Sequence, residues 1–304
     1  MTQICGKNIA ASVRQRLLDQ ARTKCVDFNL LLTRYGLERF LYRLGQSEYR
    51  ERFVLKGAML FPLWGVVSYR STRDVDLLGY GDSEIDTLVM VFRTICQTEV
   101  TDDGVKFDSA SVQAEDIRDQ MEYGGTRLKL NAYLAGARIQ LQVDIGFGDV
   151  VTPSADSAKY PTILDYPAPS LRVYPRETVI AEKFQAMVHL GMANSRMKDF
   201  HDLWVLGSQF DFDGMTLATA LARTFERRNT PMPVELPIAL TPEFFADVKK
   251  VRQWKAFLNR AGLTVEEELA EVATFIAGFV VPPIEKSRVG GKFAERWLAG
   301  GPWQ

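Results

Sequence analysis

The sequence predicts an α+β chain: helices at the N-terminus, a strand-rich middle and a helical C-terminal part. Three observations predict it. Residues 8–45 repeat apolar side chains at helical spacing, residues 104–148 switch to a period of two, and helical spacing returns after Pro175. At this level the chain divides into an N-terminal helical segment (1–48), a core (49–207) and a helical C-terminal domain (208–304) that ends in an extended tail.

The first element carries Ile9, Val13, Leu17 and Ala21 at four-residue spacing, and the pattern continues through "DFNLLLTRYGLERFLYRLG" to Gly45 as a stop. "RFVLKGAMLFPLW" is apolar around Lys56-Gly57 and reads as a short element and a turn, limited by Pro62. "STRDVDLLGYG" is a strand ended by glycines. "DSEIDTLVMVFRTICQ" is a helix capped by Asp82 or Ser83. "GVKFDSASVQ" is a strand. "TRLKLNAYL" and "RIQLQVDIGFGD" form a hairpin about Ala135-Gly136-Ala137. Residues 149–170 hold Pro153, Pro161, Pro167 and Pro169 and read as a loop. "PRETVIAEKFQAMVHLG" and "RMKDFHDLWVLG" are helices stopped by glycine. Beyond residue 210 the chain is mostly helical, with a break at "RNTPMPVELPIALTPEFF" and the Pro- and Gly-rich end "VVPPIEKSRVGGKFAERWLAGGPWQ".

The totals narrow the function classes. The 304 residues are 46% hydrophobic and 25% charged, as in ordinary globular domains. A net charge of −1 gives no long-range attraction to nucleic acid, so a polyanion site must come from local clustering. No apolar run approaches the roughly 20 residues of a membrane span, and the N-terminus lacks a signal-peptide core, so the expected location is the cytoplasm. Cys5, Cys25 and Cys96 show no CxxC spacing and, with two histidines, make no zinc set. His189 and His201 pair with no nucleophile and read as structural. The glycine pairs 124–125 and 290–291 read as turns.

The chemistry lies in "RSTRDVDLL". Residues i and i+2 of a strand share a face, so Asp74 and Asp76 point the same way while Val75 and Leu77 face the core. At a Cα separation of about 6–7 Å, two full charges repel by about 2–3 kcal/mol at an effective dielectric near 20. A hard divalent cation such as Mg²⁺ removes that cost and leaves positions open for phosphates. Asp144 sits on the polar face of "RIQLQVDIGF". If that strand lies beside 74–78, three carboxylates converge. The bland alternative is that these aspartates sit at the surface or pair with Arg70 and Arg73.

The basic groups follow. Lys183 lies two turns into its helix, where it is either a solvated lysine or a phosphate contact. Arg196, Asp199 and Asp202 share one helix face, and Met197, Phe200, Leu203 and Leu206 form the anchoring stripe. Lys198 and Asp202, at i and i+4, read equally as a surface ion pair. "KKVRQWKAFLNR" carries Lys249, Lys250, Arg252, Lys255 and Arg260 with Trp254 and Phe257 interleaved. That mixture suits a single-stranded nucleic acid or, more plainly, an amphipathic core helix.

In order and spacing, "FVLKGAMLF…YRSTRDVDLL", "VDIGFGD", "ETVIAEKFQAMV" and "SRMKDFHDL" resemble the AbiEii/AbiGii-type nucleotidyltransferase toxins of the DNA polymerase β-like superfamily, over roughly residues 8–210. The resemblance implies a nucleotidyltransferase core, a small mixed sheet flanked by helices, with a helical C-terminal part. It implies NTP as co-substrate, Mg²⁺ as cofactor, and transfer of NMP to an RNA 3′ end, tRNA above all, which blocks translation. A cognate antitoxin is the implied protein partner. It assigns Asp74, Asp76 and Asp144 to metal, Lys183 to the nucleotide, and Asp199 or Asp202 to the later catalytic aspartate. Lys56, Gly57, Arg196 and Lys198 join the nucleotide-binding set. One departure stands out: Gly57-Ala58-Met59 lacks the hydroxyl that usually follows the motif's glycine. The alternatives are a transferase acting on a protein or small-molecule hydroxyl, and a non-catalytic NTP- or RNA-binding protein of the same fold.

Overall fold

The computed structural model describes residues 8–66, 72–117, 124–288, 290 and 292–304. Cys5, Arg70 and Gly291 lie outside the described residues. The chain forms two compact units: residues 1–148 with 156–173, and residues 149–155 with 174–304. Residues 174–207, grouped with the core by sequence, therefore belong to the second unit.

The first unit begins with α1 (Ile9–Thr23) and α2 (Phe28–Gln46). The sequence pattern reads as continuous helix here, but the chain breaks at 24–27. Cys25 adopts a positive φ of 51°, and Asp27 restarts the helix by accepting from the Leu30 N–H at 2.7 Å. Then come β1 (Phe53–Lys56), α3 (Leu60–Leu63), β2 (Asp74–Gly79), α4 (Ile85–Cys96), β3 (Lys106–Ile117), β4 (Gly125–Leu134), β5 (Ala137–Phe147), β6 (Asp156–Lys159) and β7 (Ser170–Val173). Asp82 does act at the start of α4: it accepts from the Glu84 N–H and the Thr87 hydroxyl. β6 lies within the stretch read as a loop. It is a short, mostly exposed edge strand, too brief to show a period.

The strands form one mixed sheet in the order β3-β4-β5-β2-β1-β7-β6. β2 runs parallel to β5 and β1 parallel to β7, and the remaining pairs are antiparallel. Alternation decides the two faces. Val75, Leu77, Leu128, Leu130, Leu141, Val143 and Ile145 are buried on one face, where α2 packs on β5 and α4 on β3. Asp74, Asp76, Gln142, Asp144, Arg127 and Lys129 lie half-buried on the other. The β4–β5 turn has two residues, Ala135 and Gly136, with φ of 46° and 80°. Positive φ at both positions matches the right-handed twist of the strands, so Leu134 pairs with Ala137 and the expected three-residue turn is one residue too long.

The second unit holds α5 (Arg176–Leu190), α6 (Met197–Gln209), β8 (Phe212–Asp213), α7 (Gly214–Arg227), α8 (Pro242–Phe245), α9 (Val248–Ala261), α10 (Leu269–Arg288) and β9 (Arg296–Trp297). Phe184 of α5 meets Phe225 of α7, and Phe200 of α6 stacks on Phe244. The end of the chain is not an extended tail. α10 continues through Pro282 and Pro283, with Phe279, Val280 and Ile284 buried about them. β9 then pairs with β8. Trp297 donates to the Gly207 carbonyl and Trp303 to that of Phe279, and both indoles pack on Phe279. Aromatic burial thus outweighs the loop-forming composition.

Candidate functional site

In the first unit, β2 places Asp74 and Asp76 on one face because Val75 and Leu77 are fully buried on the other. Register extends this into a row of charges across five strands. Lys56 pairs with Asp76, Asp76 with Asp144, Asp144 with Arg127, and Arg127 with Glu115. The expected adjacency of the two aspartate strands is therefore realised.

Gly57 follows β1 with a φ of 73°. A Cβ there would overlap the Asp76 carboxylate, whose Cγ lies 2.6 Å from its ideal position. Glycine is required twice, for its backbone conformation and for the passage of Asp76 over it. Ala58 and Met59 are buried and so act as core residues here. Thr72 supplies a hydroxyl nearby, hydrogen-bonded to Asp74 Oδ1. Arg73 is exposed.

The donor chemistry of Asp74 and Asp76 fits a hard divalent cation: two hard oxygen donors share one strand face, and the carboxylate of Asp76 is cradled where a Cβ would exclude it. Asp144 is held differently. Arg127 grips it with two parallel bonds, Nε to Oδ1 at 2.9 Å and NH2 to Oδ2 at 2.7 Å. The Gln142 amide approaches both oxygens at 3.2 and 3.3 Å. Among the described residues, no three His, Cys, Asp or Glu side chains gather as a metal-holding group. The third carboxylate is next to the pair but committed to a guanidinium. Sequence reasoning missed Arg127. A two-residue turn at 135–136 sets the register that pairs residues 127 and 144, so the signal was present in the hairpin.

The second unit holds the other expected residues. Lys183 Nζ lies 2.7 Å from Asp199 Oδ1 and 2.6 Å from Asp202 Oδ2. Arg196 Nε lies 2.6 Å from Asp199 Oδ2. Both aspartates are fully buried, so the Lys198–Asp202 surface pair does not form, and Lys198 is exposed. Nor is Lys183 a solvated lysine: its side chain is 13% exposed. Burial alone would raise the Asp199 carboxyl, but the Lys183 ammonium and the Arg196 guanidinium outweigh burial and hold it below the usual carboxylate range. His201 is buried against Trp204 and Phe257.

The basic helix α9 is only partly a surface. Lys250 is buried and donates to the Asn194 carbonyl at 2.6 Å over the Phe244 ring. Burial, and then Lys249, lower its pKa. Trp254 is buried and so cannot stack on a base. Lys255 lies 3.6 Å from Glu268. Lys249, Arg252, Lys255 and Arg260 remain exposed.

Residues 39–277 match the family model described as nucleotidyl transferase AbiEii toxin, type IV toxin–antitoxin system. No curated protein matches the chain. Two solved structures are similar, both at 15% identity. One is a candidate nucleotidyltransferase from H. pylori, matched over 88% of this chain and 100% of its own, with a TM-score of 0.51. The other is JHP933 from Helicobacter pylori, matched over 84% and 92%, with a TM-score of 0.48. The first shows a shared fold, a mixed sheet flanked by helices.

Proposed function

The chain belongs to the AbiEii nucleotidyltransferase toxin family, and from that premise we propose that it transfers a nucleotide from an NTP to the 3′ end of an RNA, with tRNA as the acceptor and Asp74 and Asp76 as metal ligands. The observation that carries this reading is the carboxylate pair on one face of β2, with Gly57 clearing the space beneath Asp76. A divalent cation such as Mg²⁺, when bound there, supplies positive charge to the attacking and leaving oxygens of the displacement.

The chain's own residues prepare that site. The buried alternate residues of β2 fix the direction of both carboxylates. Lys56 stands opposite Asp76 at the end of β1 and adds positive charge to the same row. In the second unit, Asp199 and Asp202 hold the Lys183 ammonium in a fixed place, and the nucleotide contact that the resemblance assigns to Lys183 is part of this proposal. Arg196 and Lys198 belong to the same nucleotide-binding proposal. The exposed cations of α9, Lys249, Arg252 and Arg260, support an RNA path, without Lys250 and Trp254. Among the described residues no helix is long and apolar enough to cross a membrane. We place the protein in the cytoplasm, with NTP and RNA, and read an antitoxin as its partner from its family.

The test is incubation of the protein with each α-labelled NTP, Mg²⁺, and total RNA or total protein. Label in the RNA 3′ terminus that disappears with Asp76→Ala supports the proposal. Label in protein or small molecules instead moves the acceptor to another hydroxyl.

A further inference from the structure

We infer that Arg127 is a phosphate-contacting residue of the NTP site and that Asp144 is its positioning residue, rather than a third metal ligand. This deepens the preceding reading and rests on it.

Three observations carry it. Arg127 lies on the same sheet face as Asp74 and Asp76, in the row that runs through Asp76 and Asp144. Asp144 fixes it through a two-pronged bond from Nε and NH2, which sets the guanidinium plane as well as its place. That fork leaves NH1 with no hydrogen bond to the described residues, and 34% of the side chain remains exposed.

The arrangement has a physical logic. An NTP brings several negative charges to a strand that already carries two carboxylates. A preoriented guanidinium beside them offsets that charge without reorganising when the nucleotide arrives. Arginine suits phosphate oxygens because its donors form a planar fork. Asp144 has spent both oxygens on Arg127 and Gln142. A ligand to a cation would have to give up these bonds, and Arg127 would lose its anchor.

The experiment measures two affinities separately on the full chain: Mn²⁺ by its electron paramagnetic resonance signal, and each NTP by calorimetric titration with Mg²⁺ present. Arg127→Gln should weaken NTP binding at least about tenfold, the scale of a charged hydrogen bond, and leave Mn²⁺ affinity unchanged. Asp144→Asn should weaken NTP binding in the same direction and also spare Mn²⁺. Arg127→Lys keeps the charge but not the fork, so it should fall between Arg127→Gln and the parent. It also keeps the test open if the glutamine variant does not fold. If Asp144→Asn loses Mn²⁺ while neither Arg127 variant changes NTP affinity, the inference is overturned and Arg127 is only a counter-ion. The underlying reading fails separately: Asp76→Ala would then bind Mn²⁺ and NTP normally, whatever Arg127 does.

Discussion

Asp76 passes so close over Gly57 that a Cβ on the glycine would overlap its carboxylate. Gly57 follows Lys56, the partner of Asp76 across β1 and β2, so Asp76 keeps its place only while residue 57 has no Cβ. Gly57→Ala should therefore lose activity and destabilise the first unit by about 1–3 kcal/mol for the left-handed backbone alone, with a further cost from the overlap. Asp76→Ala should relieve the overlap. In a double-mutant cycle measured by thermal unfolding, the pair should be non-additive, with Gly57→Ala costing less in the Asp76→Ala background. Strict additivity would mean that the close approach does not matter.

Asp76→Ala alone should abolish transfer and leave the thermal midpoint unchanged or higher. It removes a like-charge neighbour of Asp74 and a weak strand former. Circular dichroism with the labelled-NTP assay checks both halves, and a variant that unfolds contradicts the functional reading of Asp76.

Lys183 holds two buried carboxylates. Lys183→Met should cost about 3–5 kcal/mol, because it strands those charges, so its loss should show in stability even without nucleotide. Arg196→Gln touches Asp199 alone and should cost less. Denaturant unfolding curves rank the two variants.

The same cluster fixes a pH dependence. The folded Asp199 pKa lies below its ordinary value, so the unfolded chain binds its proton first as pH falls. Its contribution is complete above the unfolded value of about 3.9. It is lost as pH falls from there through the folded value. Unfolding free energies below pH 4 should fall less steeply in Asp199→Asn than in the parent chain.

Reversing Lys249 and Arg252 to glutamate should leave the fold and NTP binding intact, weaken RNA binding and flatten its dependence on salt. Reversing Lys250 should instead unfold the second unit, because its ammonium is buried on the Asn194 carbonyl. Filter-binding titrations across salt concentrations separate the two. Normal RNA binding at every salt concentration by the Lys249 and Arg252 variant removes α9 from the RNA path.

Local features were legible in the sequence. Period-two alternation placed Asp74 and Asp76 on one face and Asp144 on the polar face of its strand, because a strand's side chains alternate whatever it pairs with. Motif order was enough to indicate the family and the mixed sheet. Caps and stops placed most helices. The tertiary structure decided everything that depends on who lies beside whom. A two-residue turn set Arg127 opposite Asp144, and a shift of one residue would have sent every side chain of β4 to the other face. Lys183 met Asp199 and Asp202 through helix packing, a contact between residues far apart in the chain that no local spacing encodes. Trp297 and Trp303 folded the Pro- and Gly-rich end back onto α10, since burying large aromatic surface outweighs the local preference of their neighbours for open chain. Lys250 and Trp254 look like surface residues in a basic run until the fold shows which side of α9 is inside.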